Sequence, residues 1–99
     1  MPLPIGGNVL ESRLLKRVDP EYPALARMAR VSGVVILQAT VDEEGNVRDI
    51  KILRGHPLLN DAVVAAVRQW KYTPTLLNGE PVPVQGTVTV IFNLKQNSF

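Results

Sequence analysis

The eight residues VVILQATV, positions 34–41, constrain this chain more than any other stretch. Val35, Leu37, Ala39 and Val41 alternate on one face while Gln38 and Thr40 mark the other, which is the two-residue period of a strand with one buried side. The next five residues, DEEGN (42–46), carry turn chemistry, with Gly45 and Asn46 able to take positive φ. VRDIKIL (47–53) then returns as an antiparallel partner. Val47 is out of phase with Ile50 and Ile52, so an irregularity near Asp49 is expected. A hairpin with one apolar face is not stable alone, and the rest of the chain must cover that face.

Two segments have the spacing to do so. In HPLLNDAVVAAVRQW (56–70), Leu59, Val63, Ala66, Val67 and Trp70 recur at helical intervals, and His56 or Asn60 can serve as N-cap. Upstream, Pro23 suits the first position of a short helix over Ala24–Arg30, with Leu25, Met28 and Ala29 as its inward face and Gly33 ending the segment. Pro20 and Pro23 hold Asp19 and Tyr22 in extended geometry just before it. SRLLKRV (12–18) reads as an edge strand leading into that corner. KYTPTLLNGEPVPV (71–84), with an Asn-Gly turn and prolines at 74, 81 and 83, reads as a connecting ribbon or arm. GTVTVIFNL (86–94) is a third main strand, with Val88, Val90, Phe92 and Leu94 on one face and Thr87, Thr89, Ile91 and Asn93 on the other. The expected architecture is α+β, two helices on one face of a small, mainly three-stranded antiparallel sheet. At 99 residues and 45% hydrophobic there is one core, expected over 12–99, with residues 1–11 (MPLPIGGNV onward) reading as a flexible linker end of something longer.

The residue inventory argues against chemistry. There is one histidine and no cysteine, which leaves the redox compartment open and provides no thiolate, metal-ligand cluster or cofactor site. His56, between Gly55 and Pro57, reads as a cap or turn residue, and Asp42, Glu43 and Glu44 as solvated turn acids. Gly6 and Gly7 lack the helix signature of a phosphate loop. Trp70 and Phe92 fall on apolar faces, so core packing rather than base stacking is expected. A net charge of +2 spread over scattered Lys and Arg gives no nucleic-acid footprint. The longest apolar run, Ala62–Val67, is far short of a membrane span. Enzymatic function is not expected.

What remains is recognition by backbone. With three main strands at least one edge is unpaired, and TVTVIFN carries no charge to guard it, which invites strand addition by a partner. Alternatively, the N-terminal segment or the PVPV arm covers that edge, or the edge pairs with a second copy as an oligomerisation or scaffold module.

Three further stretches are specific together: PEYP (20–23) opening the first helix, SGVVILQATVDEEGNVRDIKIL (32–53) as the hairpin, and AVRQWKYTP (66–74) closing the second helix. Through them the chain resembles the TonB C-terminal domain family, collinearly over about residues 17–94. The resemblance implies a periplasmic domain of an energy transducer whose full-length parent is anchored in the inner membrane and driven by a proton-powered motor complex. Its implied partner is the TonB box of outer-membrane transporters, captured by strand addition at Thr87, Val88, Thr89, Val90, Ile91 and Phe92. The family's Gln-Pro-x-Tyr-Pro contact stretch corresponds to Asp19, Pro20, Glu21, Tyr22 and Pro23 here. Asp19 stands where glutamine is usual, and a carboxylate accepts hydrogen bonds but cannot donate them. The LLNGEPVPV segment is longer than in the best-known members, and a homodimer is a further possibility.

Overall fold

Two nine-residue strands, Gly33–Val41 and Val84–Phe92, lie side by side, antiparallel, in unbroken register from Gly33↔Phe92 to Val41↔Val84. A computed structural model describes residues 1–94. In chain order it contains β1 (Leu3–Pro4), α1 (Gly7–Ser12), β2 (Leu14–Lys16), α2 (Ala24–Met28), β3 (Gly33–Val41), β4 (Val47–Arg54), α3 (Asn60–Val67), β5 (Lys71–Tyr72), β6 (Thr75–Leu77), β7 (Glu80–Val82) and β8 (Val84–Phe92). The main sheet is four-stranded in the order β1-β8-β3-β4. Two small ribbons, β2 with β5 and β6 with β7, stand apart from it.

The expected alternation sets the core. Val35, Leu37, Ala39 and Val41 of β3 and Val84, Val88, Val90 and Phe92 of β8 are all buried, and they pack with Leu10, Ala26, Leu59, Val63, Val67, Trp70 and Tyr72. The helices therefore cover one face of the sheet, as expected, while Val34, Thr87, Thr89 and Ile91 face outward and are exposed. The irregularity near Asp49 is real: Thr40 pairs with Asp49 but Val41 with Val47, leaving Arg48 as the extra residue of a bulge. Gly45 takes φ 88° in the turn, whereas Asn46 keeps an ordinary negative φ. The Asn78-Gly79 turn has φ 53° and 81°, which suits a tight two-residue hairpin, and the proline-dense segment does form an arm, β6–β7.

Several expectations need correction. The sheet has a fourth strand and the domain a third helix: β1 and α1 both lie within the first eleven residues or just beyond them. Residues 12–18 do not join the main sheet; only Leu14–Lys16 is a strand, paired with β5. On α2 the inward residue is Ala26, fully buried, while Leu25 and Met28 are 67% and 80% exposed. Five residues give little more than one turn, so only one side chain can point squarely at the sheet. The helix ends at Met28 rather than running to Arg30, and the chain turns out of it at Arg30 rather than Gly33: the φ of 57° at Arg30 lets the Val31 amide donate to the Ala26 carbonyl at 2.8 Å and the Arg30 amide to the Arg27 carbonyl at 3.1 Å, a left-handed C-terminal cap without glycine. Pro23 is the N-cap rather than the first helical residue. Neither His56 nor Asn60 caps α3; Leu59 occupies that position. Instead His56 and Asn60 lock the preceding turn, with the His56 amide donating to Asn60 Oδ1 at 2.9 Å and the Leu58 amide to His56 Nδ1 at 3.0 Å.

Candidate partner-binding groove

A strand's backbone groups alternate sides, so one known bond assigns all of them. The Ile5 amide donates to the Gln85 carbonyl and the Leu3 amide to the Pro83 carbonyl, both at 2.9 Å, so odd-numbered residues of β8 point away from β3. The unbroken register carries this parity along the strand. Thr87, Thr89 and Ile91 thus present their N–H and C=O groups at the outer edge, while Val88, Val90 and Phe92 are engaged with β3. Beyond β1 the outward groups of Thr89 and Ile91 take no partner among the described residues. The proposed cover by the N-terminal segment holds for only part of the strand, and the β6–β7 arm pairs with itself rather than with β8.

Along this edge runs an open groove of about 1100 Å³. One wall is β8 from Thr87 to Phe92, and the opposite wall is Asp19, Pro20, Glu21 and Tyr22. The two stretches singled out in the sequence therefore meet across one cleft, apart from Pro23, which does not line it. Leu14, Arg17, Arg27, Trp70 and Tyr72 also line it, together with Gly7, Asn8 and Glu11 from α1 and with Asn93. Sequence reasoning missed all of these as groove residues, because their convergence depends on the N-terminal segment closing onto β8 and on the β2–β5 ribbon, whose partners are 55 and 58 positions apart.

The Asp19–Tyr22 wall is held at both ends. Trp70 Nε1 donates to the Val18 carbonyl at 2.7 Å, so a buried indole fixes the start of the segment with its one polar atom. At the other end the Tyr22 hydroxyl donates to the Val31 carbonyl, and its ring meets Phe92 edge-on, centroids 5.2 Å apart at 86°. Tyr22 thereby ties the extended segment to α2's exit and to the end of β8. Two cations cap this aromatic row: Arg27 lies 4.8 Å from the Tyr22 centroid and Arg17 5.1 Å from that of Trp70. Asp19 accepts from Arg17 Nε at 3.1 Å in a solvent-exposed pair of small energetic weight. Burial pushes the Tyr72 phenol up to about 12. Among the described residues no group of acidic, histidine or cysteine side chains could hold a metal ion. No helix among the described residues is long and apolar enough to cross a membrane.

The arrangement of an extended wall, a bare strand edge and helices on the far face can be set beside known proteins. Residues 18–94 match the model of the family described as the Gram-negative bacterial TonB protein C-terminal. The chain belongs to that family. It is 31% identical over 81 residues to Protein TonB of Vibrio cholerae, covering 80% of this chain and 33% of that protein. Protein TonB of Xanthomonas campestris is 35% identical over 77 residues, covering 76% of this chain and 34% of the relative. The solution NMR structure of the Pseudomonas aeruginosa TonB C-terminal domain superposes with a TM-score of 0.68 at 26% identity, covering 82% of this chain and 84% of that one. The chain thus spans about a third of the length of its TonB relatives. The family resemblance read from PEYP, the hairpin and AVRQWKYTP is shown over nearly the range expected, and the TonB C-terminal fold is mixed α+β here as in the Pseudomonas domain.

Proposed function

We propose that this TonB-family domain captures the TonB-box segment of outer-membrane transporters by strand addition to β8, as the periplasmic partner-binding end of an energy transducer anchored in the inner membrane and driven by its proton gradient. The observation that carries this reading is the pair of outward residues Thr89 and Ile91, without a partner among the described residues, running along a groove whose far wall is Asp19–Tyr22. Each residue offers one donor and one acceptor, so four main-chain hydrogen bonds at about 0.5–1.5 kcal/mol each supply a few kcal/mol. Micromolar affinity needs about 8 kcal/mol, and side chains entering the slot beside Tyr22, Leu14 and the Arg17–Trp70 stack must contribute the rest. The expected grip is moderate and reversible.

The test is a backbone amide NMR titration with peptides from the N-terminal segments of such transporters. Shifts concentrated at residues 19–23 and 87–92 support the reading. A folded, monomeric protein whose amides ignore every peptide refutes it. Self-association that protects the β8 amides, with light scattering reporting a dimer, favours a self-pairing scaffold module instead.

A further inference from the structure

We infer that residues 3–12 are a built-in occupant of the β8 edge, limiting a docked strand to the Thr89–Phe92 end unless β1 and the start of α1 lift away. The inference rests on strand addition at β8. It comes from how the edge is divided. β1 runs parallel to β8 with Leu3 opposite Val84 and Pro4 opposite Gln85, and the amides of Leu3 and of Ile5 just after it donate to the outward carbonyls of Pro83 and Gln85. The chain then turns and lays α1 across the next residues. A side chain at Gly86 would meet the Ile5 carbonyl at 3.1 Å and Leu10 Cδ2 at 3.2 Å. A side chain at Gly7 would meet the Thr87 carbonyl at 3.0 Å. Glycine at both positions therefore lets the N-terminal segment close directly onto the strand. At Pro83 and Gln85 the edge is bonded, at Thr87 it is occluded by Gly7, and at Thr89 and Ile91 it takes no partner among the described residues.

The two parts of this cover are not equally secured. Leu10 of α1 is 1% exposed and sits in the main core, so it anchors the helix. β1 has both residues exposed and is held by the two backbone bonds from Leu3 and Ile5 and by Ile5, which is only partly buried against the core. A strand reaching Gln85 has to displace β1 and to move Gly7, the first residue of α1, off Thr87, while Leu10 keeps the rest of α1 anchored. The N-terminal segment thus acts as a ruler for the docked strand and as a weak competitor for its far end.

Three forms of the chain test this: the native sequence, a deletion of residues 1–7 that clears Thr87 and keeps Leu10, and a Pro4→Cys/Gln85→Cys disulfide that clamps β1 in place in a chain with no other cysteine. The probes are soluble alternating Val/Thr peptides of five and nine residues, followed by amide shifts at Thr89 and Ile91. The five-residue peptide is expected to bind all three forms equally. The nine-residue peptide is expected to bind the deletion about tenfold tighter than the five-residue one, from roughly two freed main-chain groups, and to gain nothing on the clamped form. Ile5→Pro, which removes one of the two amide donors and leaves Leu10 seated, is expected to fall between and decides the matter if the deletion does not fold. An equal gain for the longer peptide on all forms overturns the inference while leaving strand addition standing. No shift at Thr89 or Ile91 with either peptide on any form overturns strand addition itself.

Discussion

Proline at two adjacent positions of β8 separates the docking role of the strand from its structural role. The Val90 amide faces β3 opposite Val35, and its side chain is 1% exposed. Val90→Pro removes a ladder hydrogen bond, drives the ring into the neighbouring strand and disturbs a buried contact, for a loss of about 3 kcal/mol or more. The Thr89 amide points outward and its side chain is exposed, the one setting in which a strand accepts proline. Thr89→Pro should therefore cost no more than about 1 kcal/mol of stability. It deletes one of the four groups offered to a partner, worth about two- to tenfold in affinity, and its ring stands where a docked backbone must lie. Urea unfolding midpoints and amide-shift titration with a transporter peptide measure the two effects separately. Equal destabilisation by both prolines would show the assigned parity to be wrong. A folded Thr89→Pro protein that binds the peptide with native affinity would remove β8 as the docking edge.

Three further outcomes are expected. Gly45→Ala should lose about 3 kcal/mol or more in urea unfolding, because Gly45 has φ 88° and an added Cβ would stand 1.9 Å from the Tyr72 carbonyl oxygen. Asp42→Ala should cost about 1–2 kcal/mol near neutral pH: burial pushes the Asp42 carboxyl up, but the amides of Asn46 and Glu44, each at 2.9 Å, and Arg48 Nε at 2.7 Å outweigh it and hold the group below its ordinary value. That contribution is present above the unfolded carboxylate value of about 3.9 and is lost as pH falls through the folded one, so wild type and variant should converge in acid unfolding curves. At the alkaline end, burial holds the Tyr72 phenol protonated to about 12, so its contribution is complete below pH ~10 and disappears as pH rises through 12; Tyr72→Phe should flatten that limb of a stability-versus-pH curve.

How much of this could be read from residues alone depended on the range of the interactions concerned. The period of β3, the Gly45 turn, the Arg48 bulge and the Asn78-Gly79 hairpin are local, and each is written in a few neighbouring side chains. Trp70 and Phe92 were placed in the core by periodicity, and both are buried. β1 and α1 were not legible, because Gly7, half of a Gly-Gly pair that reads as linker, is glycine for close approach to Thr87, 80 positions away. The inward face of α2 was misread since a five-residue helix has too few turns for periodicity to choose between Ala26 and its larger neighbours. For the groove, the β8 wall and the Asp19–Tyr22 wall were each visible as local patterns. Their meeting was not, since it depends on Tyr22 reaching Val31 and Trp70 reaching Val18.

The position of β8 also governs how the chain acquires its shape. It is the last described strand in sequence, yet it pairs with β3, some 50 residues earlier, and with β1, near the start. The β3–β4 hairpin closes a short loop and can form early, but the other edge of β3 stays unpaired until β8 is present. Such non-local closure slows folding from the microsecond range of local structures toward milliseconds or longer. A chain still being synthesised, or cut before Val84, would hold an unpaired β3 edge ready to associate with others.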